Sequence, residues 1–179
     1  MREKKTIIIS GLEEIKQHRI KIGRNLKTCV GMLKVLLDSE DSIDFFKRAK
    51  YEKIVVDPFT EEPENLIEVI NQCQTYLVSL TGVEYLISKF SDTSFIINLG
   101  NVAGYDIESE DGTIIAECFA ATSYRSNGKL VKDLKRLAEN DSAVYKYEFF
   151  YDTEFTDNHK QYYENKYPDI KIVHFADVR

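Results

Sequence analysis

Asp106 and Glu117 are the side chains whose types and spacing point most directly to chemistry. They lie in Gly104-Tyr-Asp-Ile-Glu-Ser-Glu-Asp-Gly-Thr-Ile-Ile-Ala-Glu117-Cys-Phe, where Asp111-Gly112 between alternating runs signals a two-residue hairpin turn. Folding about that turn pairs Glu110 with Thr113, Glu108 with Ile115 and Asp106 with Glu117, so two carboxylates face each other on one side of a sheet. Directly opposed residues have Cβ atoms about 5 Å apart, and like charges there are destabilising. A divalent metal ion is the simplest compensation. Carboxylate oxygens suit magnesium, for which manganese can substitute. Glu117 is the only charge in Thr113-Ile-Ile-Ala-Glu-Cys-Phe-Ala-Ala, a run that otherwise reads as buried strand, where charges are rare unless paired or metal-bound. Glu108 and Glu110, beside the turn, read as solvated. A one-residue slip in register would send the pair to opposite faces and undo the argument.

The whole chain sets the frame for that pair. At 179 residues with 43% hydrophobic content, a single domain is expected, with 1–80 mostly helical and 81–179 forming a second, strand-rich part. No apolar run approaches a membrane span, and Thr6-Ile-Ile-Ile-Ser is too short for a signal-peptide core, so a cytoplasmic protein without membrane contact is expected. Cys29, Cys73 and Cys118 are odd in number and lack CxxC spacing, which argues against a disulfide framework or a zinc site. His18, His159 and His174 are scattered and support no histidine-based centre.

A net charge of −6 excludes a wholly basic nucleic-acid-binding surface, yet the charge is laid out in blocks. Ile15 to Leu37 carries Lys16, Arg19, Lys21, Arg24, Lys27 and Lys34 and no acid. Asp57 to Glu117 is dominated by acids. Arg125, Lys129, Lys132, Lys135 and Arg136 then face Asp133 alone. Two basic segments around an acidic centre suit a metal site working on a polyanion; solvated helix faces give the same pattern. Lys16 and Arg24 from the first segment, and Arg125, Asn127, Lys132 and Arg136 from the second, are the candidate nucleic-acid contacts. The tyrosines between Tyr145 and Tyr167 read as half-buried aromatics, with base stacking as the alternative.

Periodicity supplies the elements that must hold these groups. Ile15, Ile22, Leu26, Cys29, Val30, Leu33 and Leu37 recur at helical spacing, predicting a helix over roughly 12–38. Ser42 caps a shorter helix to about Lys50, Ile54-Val-Val is a short extended piece, and Glu61 to about Leu80 reads as a helix with acids at its start. Thr81 then caps a further helix, with Glu84 completing a capping box. Strands follow at Phe95–Leu99, Ala103–Glu108 and Thr113–Ala120, then a helix over about Gly128–Asn140 capped by Ser126 or Asn127. Val144–Tyr151 is a strand, His159–Asn165 one or two helical turns, and Ile170–Phe175 a last strand.

The order αβββαβ over roughly 81–151, with Gly-x-Asp on its second strand and Glu-x-x on its third, resembles the PD-(D/E)xK nuclease superfamily, which includes most type II restriction endonucleases. The resemblance covers those elements and, in motif, Asp106 and Glu117. It implies an α/β (α+β mixed sheet) fold with a restriction-endonuclease-like core behind an N-terminal helical region. It implies further that Asp106, Glu117 and the carbonyl of Cys118 hold magnesium, that the substrate is double-stranded DNA and that the enzyme is a homodimeric endonuclease. In that family a lysine two residues after the acid orients the attacking water; here Phe119 stands in its place. Some members supply the group from the next helix, where Lys129 sits in the first turn against the helix dipole. Glu84 is a further candidate ligand beside its capping role. The alternative that Phe119 favours is a catalytically inactive nuclease-fold module binding nucleic acid or a protein.

Overall fold

The structure is a computed structural model that describes residues 6–39, 41–100 and 103–178. Its strands are β1 (Thr6–Ile9), β2 (Val55–Val56), β3 (Pro63–Glu64), β4 (Phe95–Asn98), β5 (Ile107–Ser109), β6 (Ile114–Ala120), β7 (Tyr145–Tyr151) and β8 (Ile170–Phe175). Its helices are α1 (Leu12–Ser39), α2 (Ser42–Tyr51), α3 (Leu66–Ile87), α4 (Lys129–Ala138) and α5 (Asp157–Lys166). A mixed six-stranded sheet runs β1-β4-β5-β6-β7-β8, antiparallel as far as β6 and parallel from β6 to β8. β2 and β3 form a separate antiparallel pair. The class is therefore mixed α/β. Among the described residues no helix is long and apolar enough to cross a membrane.

Both faces of the central strands are covered, which is why β6 reads as an almost unbroken apolar run. Ile114, Ala116 and Cys118 enter a core with Val78, Val83 and Leu86 of α3 and Ile15 and Ile22 of α1. Ile115 and Phe119, on the other face, join Leu130, Leu134 and Leu137 of α4. A third cluster ties Cys29 of α1 to Phe45, Ala49, Val55 and Val69. α1 and α3 thus form the layer behind the sheet, and α4 the layer in front.

Several boundaries depart from the periodic reading. α3 is one helix of 22 residues rather than two, and it runs straight through the expected division at 80–81. Asn65 caps it, accepting from the Glu68 N–H at 3.0 Å, while Pro63 and Glu64 lie in β3. Thr81 caps nothing: its hydroxyl bonds back to the Leu77 carbonyl at 2.8 Å, the mid-helix alternative open to threonine. Asp41, not Ser42, caps α2. The expected stripe of α1 is buried at Ile15, Ile22 and Cys29 and half-buried at Leu26 and Leu33, with departures beside it. Asn25 is buried, donating to the Pro58 carbonyl at 2.9 Å, while Val30 and Leu37 are exposed. β1 was not anticipated, and β5 begins only at Ile107, although the Asp106 carbonyl still accepts the Asn98 N–H of β4 at 2.9 Å.

Candidate functional site

The hairpin register is the expected one. Ile107 lies opposite Ala116 and Glu108 opposite Ile115; the ladder ends there, and continuing its register one step brings Asp106 to the α4 face beside Glu117, on whose carboxyl it acts. The turn that fixes it is longer than two residues. Asp111 Oδ1 accepts from the Ser109 hydroxyl at 2.6 Å, from the Thr113 N–H at 3.0 Å and from its hydroxyl at 2.8 Å. Ser109 Oγ meanwhile takes the Ile114 N–H at 2.9 Å, replacing the last rung of the ladder with a side-chain bond. Beyond Ile107 the strands part. Asp106 Oδ2 accepts the Cys118 N–H at 2.8 Å. Since a strand residue turns its N–H and C=O to the same neighbour, the Cys118 carbonyl faces this opening too, while its thiol is buried on the α3 side.

Gly104 and Glu108 shape the wall of the opening. Glu108 is half-buried rather than solvated, because its Oε1 accepts the Tyr105 N–H at 2.8 Å. Gly104 has φ +120°, so the Gly-x-Asp glycine is required by conformation, and a Cβ there would stand 2.6 Å from that same oxygen and displace the Glu108 side chain. Glu110 is exposed, as expected for a turn residue.

Glu117 is 1% exposed and its carboxylate lies 2.6 Å from Nη1 of Arg136. Nη2 of Arg136 donates to the Gly104 carbonyl, and the guanidinium sits 4.7 Å over the Tyr105 ring. Burial pushes the Glu117 carboxyl up to about 8, the Asp106 charge pushes the same way, and Arg136 opposes both. Lys129, the first residue of α4, pairs with Asp133 one turn on, at 2.8 Å to Oδ1 and 2.7 Å to Oδ2. Burial works to lower the Lys129 ammonium, but the charges of Asp133 and then of Asp106 and Glu117 outweigh it and hold it raised. Asp133 is raised in spite of Lys129, because its own burial dominates.

Glu148 completes the cluster, and neither it nor Asp133 was expected there. It stands beside Glu117 in the parallel β6–β7 ladder and is fully buried. Neither of its oxygens finds a hydrogen-bond partner among the described residues. Burial, then the nearby charge of Asp133, hold its carboxyl well above the usual carboxylate range. A weaker signal was present in Val144-Tyr-Lys-Tyr-Glu-Phe-Phe-Tyr, where Glu148 is the one acid in a largely aromatic run that also holds Lys146.

The structure thus gathers Asp106, Glu117, Lys129 and Arg136. Phe119, where the motif lysine would stand, is buried and stacks on Phe150 with centroids 4.9 Å apart. Glu84 does not join: it pairs with Arg19 at 2.7 Å, and α3 covers the opposite face of the sheet. Lys16 and Arg24 also belong to the rear layer, beside Glu13 and Glu61 respectively, so the two basic segments do not flank one site. Lys132 is exposed on α4. Arg125 is exposed and lies over the Tyr124 ring. Asn127 is exposed at φ +54° and, like Ser126, does not cap α4, whose N-cap is Gly128.

Among the described residues no three Asp, Glu, His or Cys side chains converge as a ready-made metal cage. Magnesium needs none, since it binds through one or two carboxylates and keeps several waters. The Asp106–Glu117 pair fits that requirement, with Glu117 Oε1 held by Arg136 at 2.6 Å through charge and without an aligned hydrogen bond. Comparison of the chain with protein-family models, with curated proteins and with solved structures finds no match.

Proposed function

We propose that the protein is a magnesium-dependent endonuclease acting on double-stranded DNA, with a restriction-endonuclease-like core formed by α3, β4, β5, β6, α4 and β7. The observation that carries this reading is the pairing of Asp106 with Glu117 where β5 and β6 part, with Lys129 close enough to respond to both charges. Asp106 and Glu117 would hold magnesium, or manganese in its place, with the Cys118 carbonyl at the same opening. The metal, when bound, supplies charge neutralisation on the phosphate and an acidified water. Lys129, anchored by Asp133, is placed to orient that water, and exposed Lys132, Arg125 and Asn127 lie along the same layer for backbone phosphates. A homodimer follows if both strands of a two-fold site are cut, and a cytoplasmic restriction-type role goes with it.

A second reading has its own support: Phe119 is locked in the core and Arg136 already neutralises Glu117. On that reading the chain is an inactive nuclease-fold module that binds nucleic acid or a protein. Mixed-sequence plasmid DNA at low salt, with magnesium, manganese or EDTA, separates the two. The first reading expects discrete metal-dependent fragments that vanish in Asp106→Ala and Glu117→Ala and diminish in Lys129→Ala. Intact DNA under every condition would leave the second.

A further inference from the structure

Arg136 closes the acid pair toward solvent. Its side chain is 48% exposed while Glu117 behind it is 1% exposed. Three contacts hold it: Glu117 at 2.6 Å, the Gly104 carbonyl and the Tyr105 ring. The Glu117 contact brings the charges together, yet Oε1 receives no aligned hydrogen bond. Toward Glu117 it is charge rather than directed bonding that holds the guanidinium, while the Gly104 carbonyl takes a directed bond. Lys129 differs, because Asp133 binds it independently of the Asp106–Glu117 pair.

We propose that Arg136 competes with a divalent cation for the Glu117 carboxylate, yields it when the cation binds, and then takes a phosphate of the DNA backbone. This rests on the reading of Asp106 and Glu117 as a metal-holding pair. A dication beside Glu117 repels a guanidinium held on the same carboxylate, and the attraction that keeps Arg136 in place is spent on the metal. Arg136 is long, half in water and on the outer surface of α4, so it can leave without disturbing the core. Its planar fork matches phosphate oxygens in two parallel bonds, which the compact ammonium of Lys129 cannot offer. Metal and guanidinium are then negatively coupled, and the coupling is reciprocal.

The test uses the full chain and manganese alone, with binding followed by loss of the free-ion paramagnetic resonance signal. Arg136→Gln is expected to bind manganese at least about fivefold tighter than the unaltered protein, and Glu117→Gln to bind it more weakly. Equal or weaker binding by folded Arg136→Gln overturns the proposal and leaves the metal reading intact. No binding by either overturns both. Because Arg136→Gln strips a buried carboxylate of its partner, a second measurement keeps the natural sequence: phenylglyoxal modification of Arg136 read by peptide mass spectrometry. Saturating magnesium is expected to speed modification, and duplex DNA with calcium replacing magnesium to suppress it again. Modification unchanged or slowed by magnesium overturns the displacement, and absence of protection by DNA overturns the phosphate contact.

Discussion

On its rear side β6 presents Ile114, Ala116 and Cys118 to Val78, Val83 and Leu86; on its front side the same strand presents Ile115, Glu117 and Phe119 to Leu130, Asp133 and Leu134. Behind the sheet, aromatic rings add to the packing, with Phe149 stacked between Tyr147 and Phe175. In front, Glu117, Asp133 and Glu148 are all buried, and full compensation is missing for Glu148. Removing a carboxylate from water costs several kcal/mol unless partners replace the water. The front face thus sets buried carboxylates beside an apolar cluster of its own, built on Leu130, Leu134, Leu137 and Phe150, and those carboxylates cost stability that apolar packing on both faces must offset.

The sharpest way to break this contrast is truncation behind the sheet. Phe149→Ala should lower unfolding free energy by about 3–5 kcal/mol, read from urea denaturation; a loss below 1 kcal/mol would show that the rear core does not carry the fold. Gly82→Ala should cost about 1–3 kcal/mol by overpacking, since its Cβ would meet the Phe149 ring at 2.8 Å.

In front the sign should reverse. Glu148→Gln is expected to raise stability by about 1–3 kcal/mol at pH 9, where the parent must bury a charge or take up a proton, and to change little at pH 5. Destabilisation at pH 9 would mean that the carboxylate has a compensating partner. Glu117, raised from 4.5 to about 8, holds its proton more tightly folded than unfolded. Its stabilising contribution is complete below about pH 4.5 and is lost as pH rises through about 8; Glu148 and Asp133, also raised, slope the same way. Thermal melts of Glu117→Gln should accordingly fall less steeply between pH 5 and pH 9 than those of the parent. The smallest effect on stability belongs to Lys132→Ala, within about 0.5 kcal/mol, while DNA affinity at low salt should drop; unchanged affinity would remove α4 from the interface.

The contrast was only half visible in the amino-acid order. Asp106 and Glu117 could be set face to face because a hairpin is local: turn chemistry and a period of two fix its register. Glu148, with Lys146 two residues before it, gave a weaker signal than Glu117, and its neighbour lies across a parallel crossover of about thirty residues, which no local rule aligns. Asp133 looked like an ordinary acid on a basic helix until Leu130, Leu134 and Leu137 turned its face inward. Thr81 offered two local bonds, a cap and a back-bond, and burial of Val78, Leu80, Val83 and Leu86 on one continuous helix decided for the second. Tertiary packing made these choices, and local preference only narrowed them.

β1 carries a consequence for the order in which the chain assembles. Thr6 meets Asn98 across 92 residues, and among the described residues its strand pairs with β4 alone. As the chain leaves the ribosome, α1, α2 and α3 are complete before β1 has anything to join. β1 thus waits unpaired while the helices form, and its pairing with β4 is the first of the large sheet that can close, before β5 to β8 are made. Synthesis halted before residue 95 should therefore yield a sticky, protease-sensitive nascent chain, and its protection should rise as β4 emerges.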